Sequence, residues 1–304
     1  MTIRFGLHSD AMQRGFTLVE AVMVIVLTGI IAAVVAVFIQ GPVQGYFDTV
    51  RRSQASDVAD FALRRIARDL QAALPNSMRS TDANNYFLEF LPVRSAGRYR
   101  AAGDCGCDPL DIANPVVDNS FDVLSPGAAV VAGDSIVVYN TGQITADAYA
   151  GINRRAFSST TTPPAPAAPP SSCVPVPPAP PCGVTNIVLA AGAQFPRHSS
   201  GYRFQVVSTP VTYACEAATG TLWRYSGYPI QAVQPTSIAT LDSLASVVKA
   251  ALATNVVCAS DASNIGTGFQ VQNADGLVLL RIQLRDSAQE TVSLYREMHV
   301  DNAP

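Results

Sequence analysis

Arg14-Gly15-Phe16-Thr17-Leu18-Val19-Glu20 leads straight into Ala-Val-Met-Val-Ile-Val-Leu-Thr-Gly-Ile-Ile-Ala-Ala-Val-Val-Ala-Val-Phe-Ile over residues 21–39, and this stretch decides the fold. Glu20 is the only charged residue between Phe16 and Ile39. Wound as a helix, residues 16–39 reach ~36 Å, enough to cross a hydrocarbon core of ~30 Å. A secretory signal has a shorter apolar stretch followed by an Ala-x-Ala-like cut site, and no such site follows Ile39, so the helix is expected to stay on the mature chain. Arg4 and Arg14 outnumber Asp10 in the polar leader, which orients the N-terminus to the cytoplasm and everything beyond the span to the other side. A carboxylate inside such a span costs about 2.5–3.5 kcal/mol at the helix centre, and less near the interface. Glu20 therefore either complements the positive end of the helix dipole or serves a function with a partner.

Outward from this stretch, Gly29 lies inside the span and Gly41-Pro42 follow it; Pro42 lacks a backbone donor and is expected to kink or open the helix locally. After Tyr46 the pattern turns amphipathic, with Val58, Phe61, Ala62, Ile66, Leu70 and Leu74 predicted to pack on a folded domain. Asp60 with Arg64, and Arg65 with Asp69, stand four residues apart and support the helix weakly. Pro75 ends it. Arg51, Arg52, Arg64, Arg65 and Arg68 are interspersed with Asp57, Asp60 and Asp69, the pattern of a solvated helix face rather than of a phosphate-binding one.

From residue 76 to 304 short apolar runs alternate with turn residues, which reads as mostly β. Strands are expected at 86–91, 135–139, 186–190, 202–207, 211–215, 221–225, 277–284 and 291–299, with hairpins turning through 216–220 and 285–289. Residues 241–252 carry Leu241, Leu244, Ala245, Val248 and Leu252 at helical spacing, so a short helix is expected there. Ten of the 22 residues in 161–182 are proline; this composition cannot build a ladder and reads as an insertion within one domain. The fold class is thus α+β: a long N-terminal transmembrane and amphipathic helix packed on a mostly antiparallel β-sheet globular domain.

All six cysteines follow the span, on the side predicted to be oxidising, so disulfides are expected. Six cysteines permit 15 pairings. The preferred set joins Cys215 to Cys258 and Cys173 to Cys182 across the proline loop, with Cys105 and Cys107 bridging locally or staying reduced. A zinc site built on Cys105-x-Cys107 lacks a CxxC partner.

Charged residues are only 14% of the 304, and Lys+Arg 20 against Asp+Glu 23 leaves a net charge of −3. That balance lacks the basic excess of a dedicated nucleic-acid binder. Lys249 is the sole lysine, which removes most Schiff-base and P-loop chemistry. His8, His198 and His299 are isolated, so no dense metal-ligand pair exists. Gly133-Asp134-Ser135-Ile136 has the look of a GDSL-type nucleophile block, but Arg296 stands where an Asp should precede His299; a glycine turn entering a strand explains it better. Ile265 spoils an EF-hand over 261–266. Asp111, Asp118 and Asp122 read as solvated loop acids rather than as calcium ligands. No enzyme, cofactor or metal is expected.

The block from Arg14 to Glu20 with the uncharged run behind it resembles the processing site of type IV prepilins and pseudopilins. The resemblance implies a leader over 1–15, cut by a prepilin peptidase between Gly15 and Phe16, and N-methylation of the new Phe16 amine. It implies that Glu20 pairs with the terminal amine of a neighbouring subunit during assembly, an ion pair that offsets the burial of either charge alone. Residues 64–76, 201–228 and 276–302 resemble minor pilins of the MshO type, from mannose-sensitive haemagglutinin (MSHA) pilus biogenesis. The partners implied are prepilin peptidase, other minor and major pilins, an inner-membrane assembly platform and membrane lipid. The implied location is the inner membrane in a single pass, with the C-terminal domain in the periplasm or carried into the extracellular pilus. A type II secretion minor pseudopilin shares these features, and a surface-binding adhesin module would use an exposed Pro-rich loop and aromatics such as Trp223 and Tyr228.

Overall fold

A computed structural model describes residues 15–102, 107–112, 118–124, 127–162, 184–190, 194–258, 266–272 and 276–301. It divides into a unit ending at Ser53 and a second one from Gln54 onward. Helix α1 (Leu18–Gln71) contributes to both, its first part to the first unit and its last turns to the second. α1 runs through Pro42 without interruption, contrary to the local opening expected there. A proline removes one intrahelical bond, and the flanking turns keep theirs.

In the second unit Ala59, Ala62, Leu63, Ile66, Ala67 and Leu70 form the buried face of α1. Ala62, Ile66, Leu70 and Leu74 of the expected face are buried, but Val58 is 43% exposed and Phe61 65%, which corrects its first turn. Small alanines at 59, 62 and 67 suit close packing of the helix on the sheet, whereas the described residues of this unit leave Val58 and Phe61 exposed. Pro75 follows Leu74, which is fully buried.

Among the described residues every strand pair is antiparallel. Strands β1 (Phe87–Phe90), β8 (Val211–Glu216), β9 (Thr221–Ser226) and β10 (Val248–Ala253) form one sheet in the order β1-β8-β9-β10. Strands β11 (Gly268–Gln272), β12 (Leu277–Arg285) and β13 (Thr291–His299) form a second. The other six close a barrel: β2 (Val93–Tyr99), β3 (Ser120–Leu124), β6 (Thr185–Leu189), β5 (Arg154–Thr161), β4 (Ser135–Val137) and β7 (Arg203–Val207). Closure removes the barrel's edges, which suits a domain built from short strands.

The main core lies where the buried face of α1 meets Leu88, Phe90, Val211, Tyr213 and Leu222 of the first sheet and Phe269, Val278, Leu280 and Ile282 of the second. A separate core fills the barrel with Tyr99, Phe121, Val123, Ile136, Ile187, Phe204 and Val206. Gly97 belongs to that packing, because a Cβ there would stand 2.7 Å from the Phe204 ring.

The helix expected over 241–252 is not formed. Ser237 caps a five-residue helix α2 (Ile238–Asp242), its Oγ accepting from the Thr240 N–H at 3.1 Å. Ser246 then turns the chain with φ +59°, and residues 248–253 become β10, the second neighbour of β9. Periodicity and the helix-favouring Lys249-Ala250-Ala251-Leu252 lose to the bonds that β9 offers along its free side.

Candidate functional site

The segment that decides the fold also carries the candidate site. Thr17 stands just ahead of α1, and its Oγ1 accepts from the Glu20 N–H at 3.3 Å while its carbonyl accepts from the Ala21 N–H at 3.1 Å. Thr17-Leu18-Val19-Glu20 fits the Ser/Thr-x-x-Glu pattern by which a side chain satisfies an orphan donor of the first turn. The spacing was there to be read in the sequence, which is otherwise dominated by the apolar run. The consequence is positional. Gly15 and Phe16 lie outside the helix in irregular backbone, while Glu20 is held in its first turn.

Glu20 and Phe16 are exposed in the chain by itself, and so is every residue from Gly15 to Tyr46. The apolar helix has mean hydropathy 3.1 over its best 18-residue window, and none of that window is buried. A surface this apolar favours lipid or neighbouring helices over water. Inside the run the Thr28 hydroxyl donates to the Val24 carbonyl at 2.6 Å, so its polar group is satisfied within the helix.

Of the arginines, Arg51 pairs with Asp48, and Arg64 with Asp60 at 2.6 Å. Arg65 reaches Asp69 at 3.3 Å, but Asp69 does more than brace the helix. Its Oδ2 also accepts from the Tyr213 hydroxyl and the Arg224 Nε, both at 2.8 Å.

Cys215 and Cys258 are joined in a disulfide across 43 residues, tying the end of β8 to the segment after β10. Cys107 is disulfide-bonded as well, which corrects the alternative that it stays reduced. Cys105, Cys173 and Cys182 lie outside the described residues, as do His8 and the loop 261–265.

Several sequence candidates take structural places. Gly133 turns with φ +90° into β4, and Ser135 is buried in that strand beside Val207 and Ala156. Asp134 accepts from the Val131 N–H and pairs with Arg94. Asp122 is not a solvated loop acid: it is fully buried, accepting from the Asp108 N–H at 2.9 Å and from Asn186 Nδ2 at 3.0 Å. Asp118 accepts from the Asp111 and Ser120 N–H groups. Among the described residues no group of three His, Cys, Asp or Glu side chains is arranged to hold a metal. His198 stacks on Tyr99 with its Nδ1 3.0 Å from the Tyr99 hydroxyl, and His299 ends β13.

Tyr228 is fully buried rather than a surface aromatic, its hydroxyl bonding Glu89 at 3.1 Å and Thr212 at 2.5 Å. Trp223 is half-buried; its Nε1–H donates to Glu216 at 2.8 Å, and the Lys249 Nζ stands 4.4 Å from its ring. Sequence reasoning also missed the pair beneath Tyr228. Glu89 is fully buried against Arg79 at 2.9 Å, and Arg79 lies 3.5 Å over the Tyr149 ring and donates to the carbonyls of Gln231 and Ala232. Burial pushes the Glu89 carboxyl above its ordinary range, opposed by Arg79 and Tyr228.

Residues 10–36 match the prokaryotic N-terminal methylation motif. This match supports a type IV pilin or pseudopilin family and implies processing by prepilin peptidase and assembly with other pilins. Together with the apolar helix it is consistent with membrane anchoring. No curated protein and no solved structure matches the chain.

Proposed function

We propose that the chain is a minor type IV pilin that takes part in initiating and assembling an MSHA-type pilus. The observation that carries this reading is the capped first turn of an apolar helix, with one carboxylate at Glu20 three residues after the Thr17 cap. Prepilin peptidase cuts between Gly15 and Phe16, whose irregular backbone suits a protease. The released Phe16 amine is N-methylated, and Glu20 takes the corresponding amine of a neighbouring subunit as its counter-ion, so that neither charge is left alone in lipid. The chain then sits in the inner membrane in a single pass with its C-terminal domain in the periplasm, engages other minor and major pilins and the assembly platform, and is carried into the pilus. It performs no chemistry of its own and takes neither cofactor nor nucleic acid.

The MSHA assignment rests on the resemblance over 64–76, 201–228 and 276–302. These blocks supply the last turns of α1, the run β7 to β9, and the β12–β13 hairpin. The burial of Tyr228 removes one of the two aromatics that an adhesin reading would use.

Mass spectrometry of the N-terminus of the protein isolated from its native membrane tests the reading. The expected mature chain begins with N-methylated Phe16, and a chain that retains Gly15 overturns it. Glu20→Ala is expected to be processed normally and to be missing from sheared pili; normal recovery of that variant in filaments overturns the role of Glu20.

A further inference from the structure

β13 is the end strand of its sheet, and among the described residues no strand pairs with its outer side. The Asp286 N–H bonds the Glu290 carbonyl at 2.8 Å and the Val300 N–H bonds that of Gly276 at 2.7 Å, and between them the register runs unbroken from Arg285↔Thr291 to Leu277↔His299. Bonded and non-bonded pairs alternate along an antiparallel ladder. The even-numbered residues of β13 therefore bond to β12, and Thr291, Ser293, Tyr295, Glu297 and His299 turn their N–H and C=O groups outward. All five are exposed, and among the described residues nothing bonds these outward groups.

The even-numbered side chains share the face that meets the main core. Leu294 and Met298 pack against it from the rim. Arg296 lies between them on the same face, exposed and, among the described residues, with no carboxylate partner. A charge on the core-facing side of an edge strand discourages indiscriminate pairing. It also states what an accepted strand must carry.

We propose that β13 receives an extended segment of a different protein chain, added antiparallel, with a carboxylate opposite Arg296 and apolar side chains two residues to either side of it. Such a strand completes the outward row of backbone groups, continues the core over Leu294 and Met298, and supplies the missing counter-charge. A second copy fits poorly. Pairing β13 with itself about Tyr295 or about Arg296 sets two Arg296 side chains diagonally or directly opposite each other, and like charges there oppose pairing.

The test uses the full chain in detergent micelles and a fluorescent nine-residue probe, Thr-Val-Thr-Val-Thr-Glu-Thr-Val-Thr with blocked ends. Saturable binding is expected, weakened roughly tenfold when Lys replaces the Glu of the probe, with the preference inverted in Arg296→Glu. N-methylation of the probe's Thr amides, which face β13, should abolish binding, while N-methylation of its Val and Glu amides should not. Tyr295→Pro removes one outward donor without touching a bond to β12 and should also abolish binding. No binding at about 1 mM probe, equal binding of the two methylated probes, or an unchanged preference in Arg296→Glu overturns the proposal. So does self-association of the chain that Tyr295→Pro abolishes, since that gives the edge to a second copy. The methylated probes leave the wild-type chain intact, so the proposal stands or falls even if a variant does not fold.

Discussion

The hydroxyl of Tyr213 on β8 donates to Asp69 on α1 at 2.8 Å, and Arg224 on the next strand donates to the same oxygen at the same distance. Tyr213 is fully buried, and burial together with the neighbouring Asp69 charge raises its pKa well above the ordinary phenol range. The last turns of α1 are thus held to the sheet by a charge as well as by the apolar face. Asp69→Ala leaves a buried phenol and a guanidinium without their acceptor, and is expected to destabilise the second unit by about 2–3 kcal/mol. Urea unfolding checks this, and Asp69→Asn, which keeps an acceptor but loses the charge, should cost less.

Thr17→Ala removes the cap of α1. A lost cap costs about 1 kcal/mol, so exchange of the Glu20 amide in micelles should speed up roughly fivefold while amides beyond Ile25 stay as protected as before. Uniform loss of protection along the helix would mean that Thr17 does something other than cap.

Glu89 ties stability to pH. Its carboxyl binds a proton more tightly in the folded chain than the ordinary value of 4.5, because burial outweighs the attraction of Arg79. Its contribution is therefore fully present below about 4.5 and is lost as pH rises from there through the folded value. Glu89→Gln cannot titrate, so the stability of wild type minus that of the variant should fall as pH is raised from about 4 to about 7. A difference that grows over this range would show Arg79 outweighing burial.

The Cys215–Cys258 bond closes a loop of 43 residues in sequence. By the chain-entropy argument its removal should cost about 3–4 kcal/mol, measured as the unfolding free energy of Cys215→Ser combined with Cys258→Ser.

Legibility in the sequence followed how each element is held. α1 ends at Gln71, short of the expected Pro75, and β13 keeps its expected bounds with its apolar side chains only half-buried, whereas β8, β9 and β12 bury long apolar side chains within a residue of where their period puts them. β2 and β5 do not. Val93–Tyr99 carries two arginines, a serine and a glycine, and Arg154–Thr161 is largely hydroxyl and arginine, so neither advertises a strand; each is defined by neighbours on both sides in a closed barrel. β10 was hidden by Leu241, Leu244, Ala245, Val248 and Leu252, which stand at helical spacing. On α1 and just past it Ala62, Ile66, Leu70 and Leu74 are buried as expected, while Val58 and Phe61 are not, and Ala59, Leu63 and Ala67 take the remaining buried places. At the site, the lone acid and its apolar run were plain in the sequence. The Thr17 cap was available as a four-residue pattern and went unread, and the Arg79–Glu89 pair, ten residues apart in different surroundings, had no local signature.

Thr161 at the end of β5 stands opposite Asn186 on β6, and the two strands are neighbours in the barrel. The described residues on either side of the proline-rich stretch therefore stand on adjoining rungs of one ladder. Doubling such an excursion costs only about 0.6 kcal/mol of closure entropy. The barrel itself thus sets where both ends of the joining segment stand, about one ladder spacing apart whatever its length.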